Sequence, residues 1–277
     1  METAFVQDEI SLVNDRVKLQ IGSKFENNDF SGFEVQPSIR ASWAVRSEQF
    51  VWAAVSRAVR TPTRFDSDIR FGPPGFQFVG NPNFKSEHVV AIESGYRSRL
   101  TRQVSFDVAG YYNIYDNVRS LELQPGTGSI LLLNNLNAKT YGGEVTGTYD
   151  ALEWLRFSTG YSYLGKQLTL DPGHVDFFNG TIEGNDPKHQ FLVRGSMDLP
   201  RRIEGDTTVR FVDHLPAPFV PSYLELDQRI GWSPTGKIEL SLIGRNLLDR
   251  QHPEFGAPSP AREEVRRNIY GRIVLRF

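Results

Sequence analysis

Residues 80–96 read GNPNFKSEHVVAIESGY, and the stretch changes character at Ser86. Its first half is turn chemistry. Asn81-Pro82-Asn83 favours turn initiation, and a proline without an N–H sets where strand pairing begins. Its second half alternates: His88, Val90, Ile92, Ser94 and Tyr96 fall on one side of an extended chain, Glu93, Gly95 and Arg97 on the other. Two sides of different polarity mean a strand with two different surroundings.

The same period recurs along the chain. Val17, Leu19, Ile21 and Phe25 alternate with Lys18, Gln20, Lys24 and Glu26. Ile269, Gly271, Ile273, Leu275 and Phe277 alternate with Tyr270, Arg272, Val274 and Arg276 at the end. About 13 such runs can be marked, many longer than the roughly 5–6 residues of an ordinary strand. A tilted strand needs about 9–11 residues to cross a bilayer. The connections point the same way. Val13–Asp15, Arg46–Glu48, Leu100–Arg102, Leu152-Glu153 and Ser233–Thr235 are tight, whereas Val59–Ser86, Asn117–Ala138, Gly165–Asp186 and Leu248–Glu264 are long. Short and long connections in alternation are the pattern of an outer-membrane barrel, with short periplasmic turns and longer external loops. A propeller would need four-stranded blades at a fixed period of about 40–50 residues, and no such period is present.

Composition narrows the classes. With 31 basic and 33 acidic residues, the formal charge of −2 gives no bulk attraction to nucleic acid. There is no cysteine, which removes thiolate metal sites, thiol nucleophiles and disulfides. No stretch reaches the about 18 apolar residues of a helical span, a test to which a β-barrel is blind. The N-terminal METAFVQDEISL lacks the basic and apolar regions of a signal peptide. A Lys or Arg facing lipid costs about 2–4 kcal/mol near the midplane. The apolar set is therefore expected to face lipid, and Arg40, Glu93, Asp107, Glu144, Asp227 and Glu239 to line a polar lumen wall. Trp43, Trp52, Trp154 and Trp232 are expected in the headgroup girdles.

SRAVRTPTRFD (56–66), GNPNFKSE (80–87), NLNAKTYGGEV (135–145), GRNLLDRQHPEFG (244–256) and the terminal YGRIVLRF resemble the C-terminal barrel of TonB-dependent outer-membrane receptors. The resemblance covers essentially the whole chain. It implies an all-β transmembrane antiparallel meander: here about 13 strands of a barrel of about 22, which in the family is filled by an N-terminal plug. Neither plug nor partner-recruiting segment is recognisable in the sequence, so residues 1–277 are expected to be the C-terminal part of such a receptor, unable to transport alone. The resemblance further implies energised uptake of a metal chelate, most readily an iron–siderophore, in the outer membrane of a Gram-negative-type bacterium. The implied partners are membrane lipid, the chelate, the TonB complex through a missing N-terminal part, and the barrel-assembly machinery through the Phe277 end. No cofactor is implied.

Two loops carry the candidate ligand contacts. Phe65, Phe71, Phe76 and Phe78 lie among Gly and Pro in loop 61–84, where aromatics suit an aromatic ligand such as a catecholate or pack on neighbouring loops. Loop 168–186 adds His174, Phe177 and Phe178, among acidic residues whose spacing matches no metal pattern. Two other readings stand beside the receptor: a passive channel, suggested by the charged lumen wall, and a hydrolase using His189, His214 or His252. The second lacks any GxSxG elbow.

Overall fold

The computed structural model describes residues 1–257 and 262–277. Thirteen long strands run in sequence: β1 (Glu2–Leu12), β2 (Val17–Asn28), β3 (Gly32–Arg46), β4 (Gln49–Arg60), β5 (Glu87–Arg99), β6 (Val104–Leu123), β7 (Ile130–Leu152), β8 (Leu155–Leu170), β9 (His189–Leu199), β10 (Ile203–Val212), β11 (Tyr223–Thr235), β12 (Ile238–Arg245) and β13 (Asn268–Leu275). Each is hydrogen-bonded to the next in chain order. No helix of the described residues is long and apolar enough to cross a membrane, which says nothing of crossing by strands. Chain contacts fall into two units, Met1–Tyr96 with Ala109–Gly142 and Gly165–Gly184, and Arg97–Val108 with Gly143–Leu164 and Asn185–Phe277.

In the first unit the ladder sorts side chains into two populations. Ile21 registers with Ile39 and Ile39 with Val55, while Trp43 faces Val51, all of them half-exposed. On the opposite side Lys18 donates to Glu9 (2.8 Å) and the Arg40 guanidinium lies 4.8 Å from the Trp52 ring. Trp52 therefore departs from the girdle expectation. Its ring covers Gly95, where a Cβ would sit 2.6 Å from Nε1, so the sequence needs a glycine on β5 at that point. β1 breaks the sorting once: Asp8 registers with Ile21, which puts its carboxylate on the apolar side between Val6 and Ile10.

The expected long loop 117–138 is corrected by the structure. β6 continues to Leu123 and β7 starts at Ile130, leaving only 124–129 between them. Asparagine is depleted in strands, yet Asn134, Asn135 and Asn137 all lie within β7. Here its amides serve as brackets: Asn134 Nδ2 donates to the carbonyls of Asn117 (2.8 Å) and Lys85 (3.1 Å). Asn117 itself has φ 57°, a backbone region that Asn tolerates better than most residues. Along these extensions Val118, Leu136 and Ala138 are buried, with Tyr115, Leu168 and Leu170 packed on them. Loop 61–86 is not free coil either. It contains α1 (Arg64–Asp68), and its Arg70–Phe71 pairs with Phe78–Val79, which runs parallel to Ile130–Leu131.

In the second unit Phe191 registers with Phe211, Val193 with Val209, Ile230 with Leu242 and Leu240 with Ile273. On the other side Arg194 and Arg229 converge on Asp206 (2.7 and 3.1 Å). Arg229, Arg272 and Arg276 all reach Glu239, at 2.9, 3.0 and 3.0 Å. Residues 258–261 of the predicted loop 248–264 lie outside the described residues.

Candidate functional site

In the first unit, the foot of loop 61–86 is locked by side chains from both of its ends. β4 ends on Arg60, and Pro62 stops the strand. Asp66, with no exposed surface, accepts one branch of the Arg60 fork at both oxygens: Nη2 donates to Oδ1 at 2.9 Å and to Oδ2 at 3.0 Å. The Thr63 N–H and hydroxyl donate to the same carboxylate, at 2.9 and 2.8 Å. Burial pushes the Asp66 carboxyl up, but the Thr63 N–H, the Arg60 guanidinium and the Thr63 hydroxyl together outweigh it and hold the group below the usual carboxylate range. The other end of the loop closes on this turn. Gly80 N donates to Ile69 O and Asn81 N to Asp66 O, both at 2.8 Å. A Cβ on Gly80 would lie 2.6 Å from the Ser67 carbonyl carbon, so no other residue fits without backbone movement. Arg60 also reaches Glu87 (2.8 Å), and its guanidinium lies 6.0 Å from the ring of buried Phe84.

Above this foot four phenylalanines from two loops meet. Phe76 lies 6.2 Å from Phe78 and 6.1 Å from Phe177; Phe78 stacks with Phe178 at 6.5 Å, and Phe177 meets Phe178 edge-on at 4.9 Å. Ring separations of about 4.5–7 Å are those at which aromatic pairs attract. Phe76 and Phe177 remain 44 % and 41 % exposed, so the cluster presents an open aromatic face. Phe71 registers with Phe78 across the short ladder but is largely exposed, and Phe65 stands exposed on α1. His174 turns elsewhere: its Nδ1 lies 2.9 Å from both Glu122 Oε2 and Asn135 Nδ2.

Loop 171–188 is held over β6 by its own set of contacts. Asp176 accepts from the backbone N–H groups of Leu121 (2.6 Å), Phe178 (3.0 Å) and Gly180 (2.8 Å). Further along, Arg119 Nη2 donates to Glu183 Oε1 (2.6 Å) and Lys166 Nζ to the Glu183 carbonyl (2.8 Å). Among the described residues no three His, Asp or Glu side chains are grouped to hold a metal ion.

The second unit has a polar centre of its own. Arg210 reaches Glu225 (2.6 Å) and Glu254 (2.8 Å), Tyr223 Oη donates to Glu254 (3.0 Å), and buried His252 stacks on Tyr223 at 4.2 Å. Burial pushes Glu254 up, but Tyr223 and Arg210 outweigh it and leave the carboxyl below its ordinary value. Glu144 and Arg210 line, with Ser162 and Gln190, a recess of about 270 Å³. Asp227 accepts the Asn246 N–H (2.9 Å), Asp107 accepts from Arg97 (2.6 Å), and Glu239 is the three-arginine acceptor described above. Glu93 is half-buried on β5. His189 is engaged by Tyr161 Oη (2.9 Å) and His214 by Asp213 (2.8 Å).

The TonB-dependent receptor-like β-barrel family matches residues 2–247. The chain belongs to this family. It is 20 % identical over 280 aligned positions to an iron-regulated outer-membrane virulence protein of Vibrio cholerae, covering 91 % of this chain and 41 % of that protein. A variant of the ferric enterobactin receptor of Pseudomonas aeruginosa superposes with a TM-score of 0.80 at 16 % identity, over 99 % of this chain and 44 % of that one. The siderophore receptor PirA of Acinetobacter baumannii gives 0.77 at 16 % identity, over 99 % and 45 %. At such identities the likeness is one of fold. The chain spans under half the length of these relatives.

In this TonB-dependent receptor barrel the stretches SRAVRTPTRFD and GNPNFKSE are thus halves of one lock, Arg60–Asp66 against Gly80–Glu87. One local signal for it was available: Thr63 and Asp66 have the spacing of a helix-start pair in which a carboxylate reaches back to the preceding N–H. Asp176 and Glu183 stood in the sequence only among the acidic residues of loop 168–186; the contacts that tie them to Leu121 and Arg119 span 55 and 64 positions, which no local pattern reports.

Proposed function

We propose that residues 1–277 form part of the wall and external loops of an outer-membrane receptor for energised uptake of a metal chelate, specifically an iron–siderophore. The observation that carries this reading is the meeting of Phe76, Phe78, Phe177 and Phe178 from two loops, partly open to solvent, on a strand wall of the TonB-dependent receptor family. Flat aromatic faces suit a ligand built of aromatic donors. Relatives named for ferric enterobactin, siderophores and iron regulation agree with it. In this reading the apolar side faces lipid, and Arg40, Glu93, Asp107, Glu144, Asp227 and Glu239 belong to the lumen wall. The energy-transducing TonB complex is a partner of the whole receptor, and the Phe277 end, just beyond β13, meets the barrel-assembly machinery. Phe65, Phe71 and His174 are secondary contacts at most, since the four-ring cluster does not include them.

The test is binding of iron(III) tris-catecholate to the full-length protein in detergent, followed by intrinsic fluorescence. Replacing Phe76 and Phe178 together by Ala is expected to weaken binding about 5–10-fold, the scale of one aromatic contact or slightly more. Unchanged affinity in that variant would remove the cluster from the binding site.

A further inference from the structure

At one edge of the second unit a turn, a neighbouring turn and an apolar recess come together. Leu199 of β9 registers with Ile203 of β10, so Pro200-Arg201-Arg202 alone closes that hairpin. Arg201 (φ 63°, ψ 24°) and Arg202 (φ 59°) both stand in the left-handed region, where glycine and asparagine fit with least strain. The sequence nevertheless puts two arginines there, and both are exposed. Neither has a carboxylate partner among the described residues. Glu204, the nearest acid along β10, turns to the polar side and pairs with Arg229 (2.9 Å). On the same rim β11 and β12 reverse through 234–237, where Lys237 is exposed and, among the described residues, also without a carboxylate partner. In an outer-membrane barrel the rim of tight turns is the periplasmic one.

Beside these cations lies an apolar surface with a gap in it. Ile203, one residue from Arg202, registers with Trp232, Trp232 with Leu240 and Leu240 with Ile273. The next row on the same side runs Ile230, Leu242, Gly271. That row ends without a side chain, and a Cβ on Gly271 would meet nothing nearer than 3.9 Å. The result is an open recess of about 470 Å³ bordered by Ile230, Trp232, Leu240, Leu242 and Ile273. Most of these side chains are exposed. Read from the turn inward, the edge presents cations, then a tryptophan, then an apolar slot, which is the order of charged head, interface and chain in a lipid.

We propose that this edge is a binding site for an anionic diacyl phospholipid of the periplasmic leaflet: Arg201, Arg202 and Lys237 hold its phosphate, Trp232 lies at the glycerol level, and an acyl chain fills the recess over Gly271. This rests on the reading in which the apolar side faces lipid. Charge selects the lipid. A guanidinium presents paired N–H groups to phosphate oxygens, and each cation at the membrane surface favours an anionic head over a zwitterionic one. Phosphate recognition also accounts for arginine, instead of asparagine or glycine, at two left-handed turn positions.

The test is photo-crosslinking of the full-length protein in phosphatidylcholine vesicles that contain a trace of phospholipid with a diazirine in one acyl chain, read by mass spectrometry of the labelled peptides. Labelling of the side chains around the recess is expected to be about five- to tenfold higher with a phosphatidylglycerol probe than with a phosphatidylcholine probe. Arg201→Asn combined with Arg202→Gly removes the charge and gives the turn the residues its backbone favours. It should erase the preference while resistance to urea stays the same or rises. Arg201→Lys with Arg202→Lys should keep most of the preference. Lys237→Gln, which leaves the arginine turn untouched, should lower it about twofold. Inorganic phosphate in excess should leave the labelling unchanged, and its loss would mean a free-anion site with no lipid in it. Equal labelling by the two probes, or a preference that survives in the Asn-Gly variant, would overturn the proposal alone. Labelling confined to Arg229, Ser241 and Arg272, on the opposite side of these strands, would overturn the assignment of sides and this site with it.

Discussion

Asp66 shows how much of a loop can hang on one carboxylate. It is fully enclosed and accepts from Arg60 and from two groups of Thr63, so Asp66→Asn keeps the volume and removes the charge those donors were arranged around. Leaving buried donors poorly matched costs about 1–3 kcal/mol, and the expected outcome is faster proteolytic cutting within loop 61–86 with the strand wall intact. The pH dependence has a definite sign. Because the folded-state carboxyl lies below its ordinary value, its contribution is fully present above about pH 4, the unperturbed value, and is lost as pH falls through the lowered one. Loop protection against an acid protease should therefore persist at pH 5 and fall away only at more acid pH, while Asp66→Asn shows no such step. Gly80→Ala tests the same lock from its other half, since the added methyl meets the Ser67 backbone at 2.6 Å. It should open the loop as Asp66→Asn does, and a protected loop in both variants would remove the lock from the account. At this scale the sequence was half legible. The motif residues stood out, but Arg60, Asp66, Gly80 and Glu87 are separated by up to 27 positions, and nothing local says that they touch.

At the scale of the element, the alternating strands were legible because period 2 is imposed by backbone geometry and a sheet with two surroundings has to show it. Where the surroundings cease to differ, the signal fails. β6 and β7 run on beyond the alternating part into a region packed on both sides, and there Asn134, Asn135 and Asn137 sit in strand because they have partners: the Asn117 and Lys85 carbonyls, Glu122, and Asp171. Trp52 failed for the opposite reason. Its type suggests a headgroup anchor, and only the presence of Arg40 and Gly95 across the ladder assigns it to the polar side. The last hairpin offers the sharpest comparison of the two sides. Ile273 registers with Leu240 and is 70 % exposed, while Arg272 registers with Ser241 and reaches Glu239. Ile273→Arg should impair insertion into lipid vesicles, by about 2–4 kcal/mol if the site lies near the midplane. Arg272→Ile loses one of three arginines on Glu239 and should insert nearly as well. Equal insertion defects would mean that the sides have been assigned the wrong way round.

Over the whole molecule the assignment of sides makes one position stand out. Asp8 lies on the apolar side of β1, in register with Ile21 and flanked along its own strand by Val6 and Ile10. Its neighbour Glu9 points the other way, where Lys18 pairs with it. If the apolar side meets lipid, Asp8 is a carboxylate in a surface otherwise built of Ile39, Trp43, Val51 and Val55, and it carries a penalty smaller than the about 2–4 kcal/mol of a basic residue but of the same sign. The expectation is that Asp8→Leu raises stability to urea in phospholipid vesicles. The matched control is Asp107→Leu, on the opposite side and paired with Arg97 at 2.6 Å, which should lower stability because it leaves that guanidinium unmatched. The pair of variants separates two accounts that a single one would confuse. A general benefit of removing negative charge would raise both, whereas a two-sided wall raises one and lowers the other. Stability that falls in Asp8→Leu would instead mean that the carboxylate is met by a polar or basic group on that side, and that the lipid-facing surface stops short of β1.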